Sequence, residues 1–418
     1  MTTAREILAD KKNANSPKTH NKETFLDKCS KFHSFHKSYM SMMKIENPYM
    51  RVVDPPASPV VVKNGRTLIM LGSNNYLGFS TNPAVKKEVK RTIDIYGTGS
   101  CSSRPLAGTT SLHVKLEREL SSFKRTEETL LFSTGYMTMM GTISALAGEN
   151  DFVLSDQLNH ASIIDGIRLA KAQVKIYKHN DMESLEQSLA SIVPEANKLI
   201  VTDGVFSIKG DIANLPKIKK LADKYNALVM VDDAHGTGVL GENGHGIVEH
   251  YHMEGQIDIV GSTFSKVFST VGGAVGAKKE IIDFLRFNSR PFVFTASLPP
   301  SVIATVLASL RILKSSTHLI KKLRKNVKFF REGLLDLNFR IGINPTPIIP
   351  LFIGDDVKTL KMAADLEEEG IFINPVVPPG VSVESSLLRI SVMASLSQEE
   401  LEFALDKFKL VGKKLGLI

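Results

Sequence analysis

Between residues 128 and 277 the chain repeats one pattern: a short apolar run rich in β-branched residues, then a longer stretch with apolar positions three and four apart. The runs read ETLLF, DFVLSD, QVKIY, KLIVTD, ALVMVDD, DIVGSTF and GGAVGA. Continuous apolar runs of this length between helical segments predict buried, largely parallel strands layered by helices, an α/β sandwich. Polar residues cluster just after the runs, at the carboxyl edge where open α/β sheets bind ligands. Upstream, PVVVKNG and RTLIML predict a hairpin, and residues 23–44 set Phe25, Cys29, Phe32, Phe35 and Tyr39 at helical spacing. Downstream, an amphipathic stretch over 300–335 leads to the runs PIIPLFIG, IFINPVVPP and LLRISVM, with helices expected near 357–369 and 398–415. The division that follows is an N-terminal helical arm and extended segment (1–60), a large α/β domain (61–300) and a smaller C-terminal α+β domain (301–418).

Composition narrows the class. The 418 residues, 43% hydrophobic, suffice for sizeable cores. An apolar run of membrane-spanning length and a secretory signal core are both missing from the sequence, and Cys29 and Cys101 suit a reducing compartment. The expectation is a cytoplasmic protein. The net charge of +8 gathers near the N-terminus, where residues 1–51 hold ten Lys/Arg against five Asp/Glu. Without a nucleic-acid motif or interleaved exposed aromatics, this charge suits anionic cofactors, thioesters or peripheral contact with the inner face of a membrane, and not nucleic acid. His245, His250 and His252 lack the matching carboxylate or cysteine spacing of a metal site, so no metal is expected. The basic run KKLRKNVKFFRE (321–332) reads as a solvated helix face.

The segment GSTFSKVFSTVGG (261–273) sets Lys266 among small hydroxyl residues and glycines. Such neighbours let a backbone approach a phosphate, and a desolvated lysine gives up its proton readily and forms Schiff bases. Asp232 ends the preceding apolar run, and one further strand-sized unit brings Lys266 to the same sheet edge. A carboxylate there either caps a helix or faces a heterocyclic nitrogen and keeps it protonated. His160, after DFVLSD, is a structural residue or a flat ring able to stack on a flat ligand. Thr134, Gly135 and Tyr136 open a helix after LLF, where amides favour a phosphate. Ser207, in VTDGVFSIKGD, is a candidate hydroxyl donor. The residues by themselves define a Schiff-base lysine with an anion-binding shell.

In order and spacing, SNNYLGF, GTGSCSSRPLAGTTSLHVKLE, LNHASIIDG, TDGVFSIKGDIANLP, VDDAHGTGVLG, TFSK and LLRIS resemble the α-oxoamine synthases, pyridoxal-phosphate enzymes of fold type I, over about residues 48–415. The resemblance implies that Lys266 carries the cofactor, Asp232 pairs with its ring nitrogen and His160 stacks on the ring. It places His235 and Ser207 near the phenolate, with Thr263 and the backbone of Thr134, Gly135 and Tyr136 at the phosphate. Arg389 would take the amino-acid carboxylate with Asn75 nearby, and Thr295 would reach the phosphate of the other subunit in a homodimer. The implied reaction is a decarboxylating Claisen condensation of an amino acid with an acyl-CoA thioester. NPYMR, the YGTGSCSSR segment and INPVVPPGVSVESSLLRISVMAS lean toward the soluble bacterial branch that joins L-serine to palmitoyl-CoA, giving 3-ketodihydrosphingosine, CoA and CO2 in sphingolipid biosynthesis. The alternatives are the biotin-pathway branch, which uses alanine and a pimeloyl thioester, and members that use glycine. MASLS, where many members carry Ala-His or Thr-His, departs from the pattern at the substrate end.

Overall fold

The computed structural model describes residues 23–43, 46–55 and 57–418, with the side chains of 35–43 left aside, so Phe35 and Tyr39 of the expected stripe lie outside the described side chains. Its centre is a seven-stranded sheet. In spatial order the strands are Glu128–Phe132, Gly273–Ala277, Ile259–Thr263, Leu228–Asp232, Lys198–Asp203, Phe152–Asp156 and Gln173–Tyr177. Gly273–Ala277 runs antiparallel to both neighbours and the remaining pairs are parallel. Lys198–Asp203, Ile259–Thr263 and Gly273–Ala277 are buried throughout, so these strands are continuous apolar or small-residue runs without alternation. The fold is the α/β architecture expected from the pattern, a mostly parallel sheet between helices, with one reversed strand.

The hairpin forms as read, Val60–Lys63 against Arg66–Met70 with Val60 opposite Ile69. It then accepts a third, parallel strand, Ile371–Phe372, from the other end of the chain. A second small sheet is antiparallel, with Leu387–Ser391 between Ile348–Phe352 and Asn374–Val376. The smaller lobe thus draws on both ends of the sequence. The long amphipathic stretch is two helices, Pro300–Ser315 and His318–Asp336. The basic run lies in the second, which buries Leu323, Val327 and Phe330 and leaves Lys321, Lys322, Lys325 and Lys328 exposed. At the N-terminus, helix Phe25–Met43 leaves Phe25, Leu26 and Phe32 exposed, so its described side chains do not pack on the body as a core stripe would. No helix among the described residues is long and apolar enough to cross a membrane.

Candidate active site

The turn that carries Lys266 is held from behind. Phe264, Val267 and Phe268 are buried, and the two phenylalanine rings meet edge to face at 5.8 Å. Burying each ring contributes about 1.5–3 kcal/mol, which fixes the backbone while Ser265 and Lys266 turn to the open side. Phe264 N–H donates to Gly272 O at 2.9 Å, and Thr270 N–H to Phe264 O at 3.0 Å. Gly272 has φ +116°, and a Cβ there would lie 2.6 Å from the Phe264 ring, so no other residue closes this turn without strain.

Lys266 opens into a cavity of about 490 Å³ lined by Thr134, Gly135, Tyr136, His160, Ser207, Asp232, His235, Thr263 and Arg389. These expected residues converge on one space from five strand ends and the two lobes. Burial lowers the affinity of Lys266 for its proton, while the charge of Asp232, and that of Asp203 whenever it ionises, opposes that and Arg389 adds to it. Asp232, 8% exposed, is pushed up by burial and held down by Lys266, by His160 and by the Ala234 N–H, which donates to Oδ1 at 3.1 Å. His160 caps helix Ala161–Ala170, its Nδ1 accepting from Ser162 N–H at 3.2 Å, and it also lines the cavity. Burial in the cavity wall lowers its pKa, against the pull of Asp232 and with the help of Lys266. His235 is buried and pushed well below the usual histidine range, first by burial and then by Lys266, Arg389 and His160. Its Nδ1 lies 2.8 Å from the Tyr76 hydroxyl.

At the opposite end, Thr134 caps helix Gly135–Leu146 by accepting from Met137 N–H at 3.0 Å. The amides of Gly135 and Tyr136 precede the first helical acceptor and remain available to an anion. Gly135 is pressed against Thr263, where a Cβ would lie 2.4 Å from Oγ1. Thr263 Oγ1 and Ser265 Oγ are 2.9 Å apart. This cradle of amides and hydroxyls, sharing one cavity with a buried lysine and a buried carboxylate, fits pyridoxal phosphate: Thr134 to Tyr136, Thr263 and Ser265 could hold the phosphate, Asp232 the ring nitrogen and Lys266 the aldehyde carbon.

Two expected residues are placed elsewhere. Asn75 does not line the cavity. Its Nδ2 donates to Ala57 O at 2.7 Å and Ser80 Oγ at 2.8 Å, while its Oδ1 accepts from Ser269 Oγ at 2.5 Å. It braces the lysine turn from outside. The cavity residue is Asn74, whose Oδ1 accepts from Arg389 Nη2 at 3.1 Å. Successive side chains of a turn point apart, and the sequence SNNY does not say which asparagine faces in. Arg389 also donates from Nε to Ser207 O at 2.5 Å and from Nη1 to Ser391 Oγ at 2.6 Å. Thr295 stands outside this cavity, beside Arg104 and His113. Tyr76 and Asp203 carried no expected role although both sit in quoted motifs; a buried tyrosine in a turn and a carboxylate one residue before a glycine give no chemical signal until their neighbours are known.

A large, mostly parallel sheet with a lysine, a carboxylate and a phosphate cradle at its carboxyl edge defines a pyridoxal-phosphate enzyme of fold type I. Residues 66–408 match the family described as aminotransferase class I and II. The 8-amino-7-oxononanoate synthase of Thermosipho melanesiensis is 43% identical over 370 residues, covering 88% of this chain and 95% of its own. Further relatives at 40–45% identity share that name, while the serine palmitoyltransferase of Bacteriovorax stolpii is 43% identical over 361 residues, 86% of each chain. A solved serine palmitoyltransferase with pyridoxal phosphate superposes with TM-score 0.92 at 34% identity, over 95% of this chain and all of the other. The Francisella tularensis 8-amino-7-oxononanoate synthase superposes at 0.72 and 26%, over 84% and 99%. The chain belongs to the α-oxoamine synthases, pyridoxal-phosphate-dependent acyltransferases of fold type I.

Proposed function

We propose that this chain condenses a small L-α-amino acid with an acyl thioester, joining Cα of the first to the carbonyl carbon of the second and releasing the thiol and CO2. The observation that carries the proposal is the joint facing of Lys266, Asp232 and Arg389 onto one cavity. Pyridoxal phosphate, when bound, supplies an electron sink for charge developing at Cα. Arg389 offers a planar fork to the amino-acid carboxylate, already oriented by Ser207 O, Ser391 and Asn74. Lys266, its ammonium destabilised by burial, takes the Cα proton. His160 and His235, whose protonation burial disfavours, offer a flat wall and a ring nitrogen beside Lys266.

For the substrate pair, L-alanine with a pimeloyl thioester is the reading put first, because seven relatives at 40–45% identity are 8-amino-7-oxononanoate synthases. The second reading is L-serine with palmitoyl-CoA, as in sphingolipid synthesis. It is favoured by the closer superposition on serine palmitoyltransferase and by an equally identical relative of that name. The protein acts as a homodimer, with Thr295 of one subunit reaching the phosphate bound by its partner, and works in the cytoplasm with peripheral contact at the inner membrane face. The deciding experiment measures thiol release with serine, alanine and glycine against acetyl, pimeloyl and palmitoyl thioesters. Each methylene buried contributes about 0.8 kcal/mol, so an apolar channel favours the longest chain by a large factor in kcat/KM and rejects the terminal carboxylate of pimeloyl. Alanine with pimeloyl thioester as the best pair supports the first reading, and serine with palmitoyl-CoA replaces it with the second. No release with any pair rejects both.

A further inference from the structure

The condensation described above uses Asp232 and leaves its neighbour Asp203 without a role. The two end adjacent parallel strands directly opposite each other. In-register residues of parallel strands project from the same face of the sheet about 5 Å apart. Both line the cavity, and they are 4% and 8% exposed. The backbone under Asp203 is fixed, its N–H donating to Asn159 Oδ1 at 2.9 Å, and Asn159 Nδ2 is held by Ser155 Oγ at 2.9 Å and Val201 O at 2.8 Å. The side chain is not satisfied in the same way: Asp203 Oδ1 is buried and has no hydrogen-bond partner among the described residues. Each carboxylate has one backbone donor, the His160 N–H at Asp203 and the Ala234 N–H at Asp232, and both feel Lys266; Asp203 differs in its unpartnered Oδ1 and in facing Asp156 as well as Asp232.

Two carboxylates this close in a water-poor wall do not both ionise, and the one that faces more negative charge and leaves an oxygen without a donor keeps its proton. The groups bearing on Asp203 are Asp232 and Asp156, which favour its neutral form along with burial, and the His160 backbone and Lys266, which oppose it. We propose that Asp203 is a positioning residue, a carboxyl group kept neutral beside ionised Asp232 so that Asp232 remains the single anion facing Lys266 and the ring nitrogen. A second negative charge would hold the proton of Lys266 more tightly, and a neutral Asp203 leaves that proton easier to lose. This rests on the reading of the cavity as the pyridoxal-phosphate site.

The test compares wild type with Asp203→Asn, which keeps shape and neutrality. Infrared difference spectra of the apoproteins at pH 7 are expected to show a protonated-carboxyl band in wild type that the variant lacks. In the loaded proteins the pH midpoint of the visible absorbance is expected to stay where it is, with cofactor affinity changed less than about threefold, since no charge is removed. A missing band, or a midpoint lowered by about one unit or more, overturns the proposal. Should Asp203→Asn not fold, Asp203→Glu moves the band without removing it, and titration of the wild-type band alone decides: its loss near pH 4, the ordinary carboxylate range, overturns the proposal. Because the infrared arm uses apoprotein, a band without thiol release refutes the proposed reaction only, and turnover without a band refutes the role of Asp203 only.

Discussion

Arg389 shows how a side chain is prepared for a ligand it has not yet met. All three of its donor groups rest on protein acceptors, so the fork is oriented before a carboxylate arrives. Arg389→Lys replaces this fork with a point charge, and losing charge-assisted hydrogen bonds of about 1.5–3 kcal/mol raises KM for the amino acid roughly 10- to 100-fold. Steady-state kinetics with the amino acid varied check this, and an unchanged KM would place the carboxylate elsewhere. Lys266→Ala removes the amine that holds the cofactor, so the purified variant loses the visible band of the lysine adduct and all turnover while melting near wild type. At this scale the convergence of Lys266, Asp232 and His160 on one cavity is legible in the sequence, because each stands at or within four residues of the end of an apolar run and so emerges at the sheet edge. The cavity position of Asn74 rather than Asn75, and the pairing of Asp203 with Asp232, are not legible there, because which way a turn residue faces and whether two acids become neighbours depend on pairing between distant segments.

Among the elements, the strand Leu228–Asp232 continues into a turn secured by one buried ion pair. Lys124 Nζ lies 2.6 Å from Asp233 Oδ2, 2.6 Å from Thr237 Oγ1 and 2.7 Å from His245 O, and Asp233 also accepts from Ile247 N–H at 3.1 Å. Lys124→Met leaves the Asp233 charge buried and uncompensated, and destabilises the fold by about 3–5 kcal/mol in urea unfolding. Adding Asp233→Leu is expected to recover part of that loss, because the lone charge goes with it. A second tie acts on the 205–212 loop that holds Ser207. His179 Nδ1 is 2.9 Å from Asp156 Oδ1 and its Nε2 3.2 Å from Asp211 Oδ2. Burial opposes its charge, but the two carboxylates prevail and raise its pKa to about 9. With the folded value above the unfolded value of about 6.5, its stabilising effect is complete below pH 6.5 and is lost as pH rises through 9. The difference in unfolding free energy between wild type and His179→Gln is therefore expected to shrink by about 3 kcal/mol across that window, and a flat difference would break the assignment. The elements themselves were largely legible, since length and β-branched content separate strands from helices here. The reversed direction of Gly273–Ala277 and the pairing of Ile371–Phe372 with Arg66–Met70 were not, because strand direction and partner are set by tertiary packing rather than by local pattern.

For the molecule as a whole, the surface beside the phosphate cradle is more apolar than an isolated chain would leave it. Phe294 is 73% exposed, Leu106 82% and Val271 57%, and the first two lie on segments joined by the bridge between Ser103 and Ala296. Ser133, next to Thr134, donates to Ala296 O at 2.7 Å, so this patch is mechanically continuous with the helix N-terminus that would hold the phosphate. Exposed aromatic and aliphatic side chains grouped in this way suit burial against a second copy of the chain. Sedimentation is expected to give a dimer, and Phe294→Arg a protein shifted toward monomer with reduced cofactor affinity. The contribution of Thr295 across that interface has a sharper test. Lys266→Ala lacks the amine, and, on the proposed reading of Thr295, Thr295→Asp sets a negative charge against a bound phosphate, so each variant alone is expected to be inactive or nearly so. If the hydroxyl acts in trans, unfolding and refolding the two variants together builds mixed dimers in which one site has both a lysine and a threonine, and thiol release returns. If each site is complete within one chain, no mixed dimer holds an intact site and the activity stays lost.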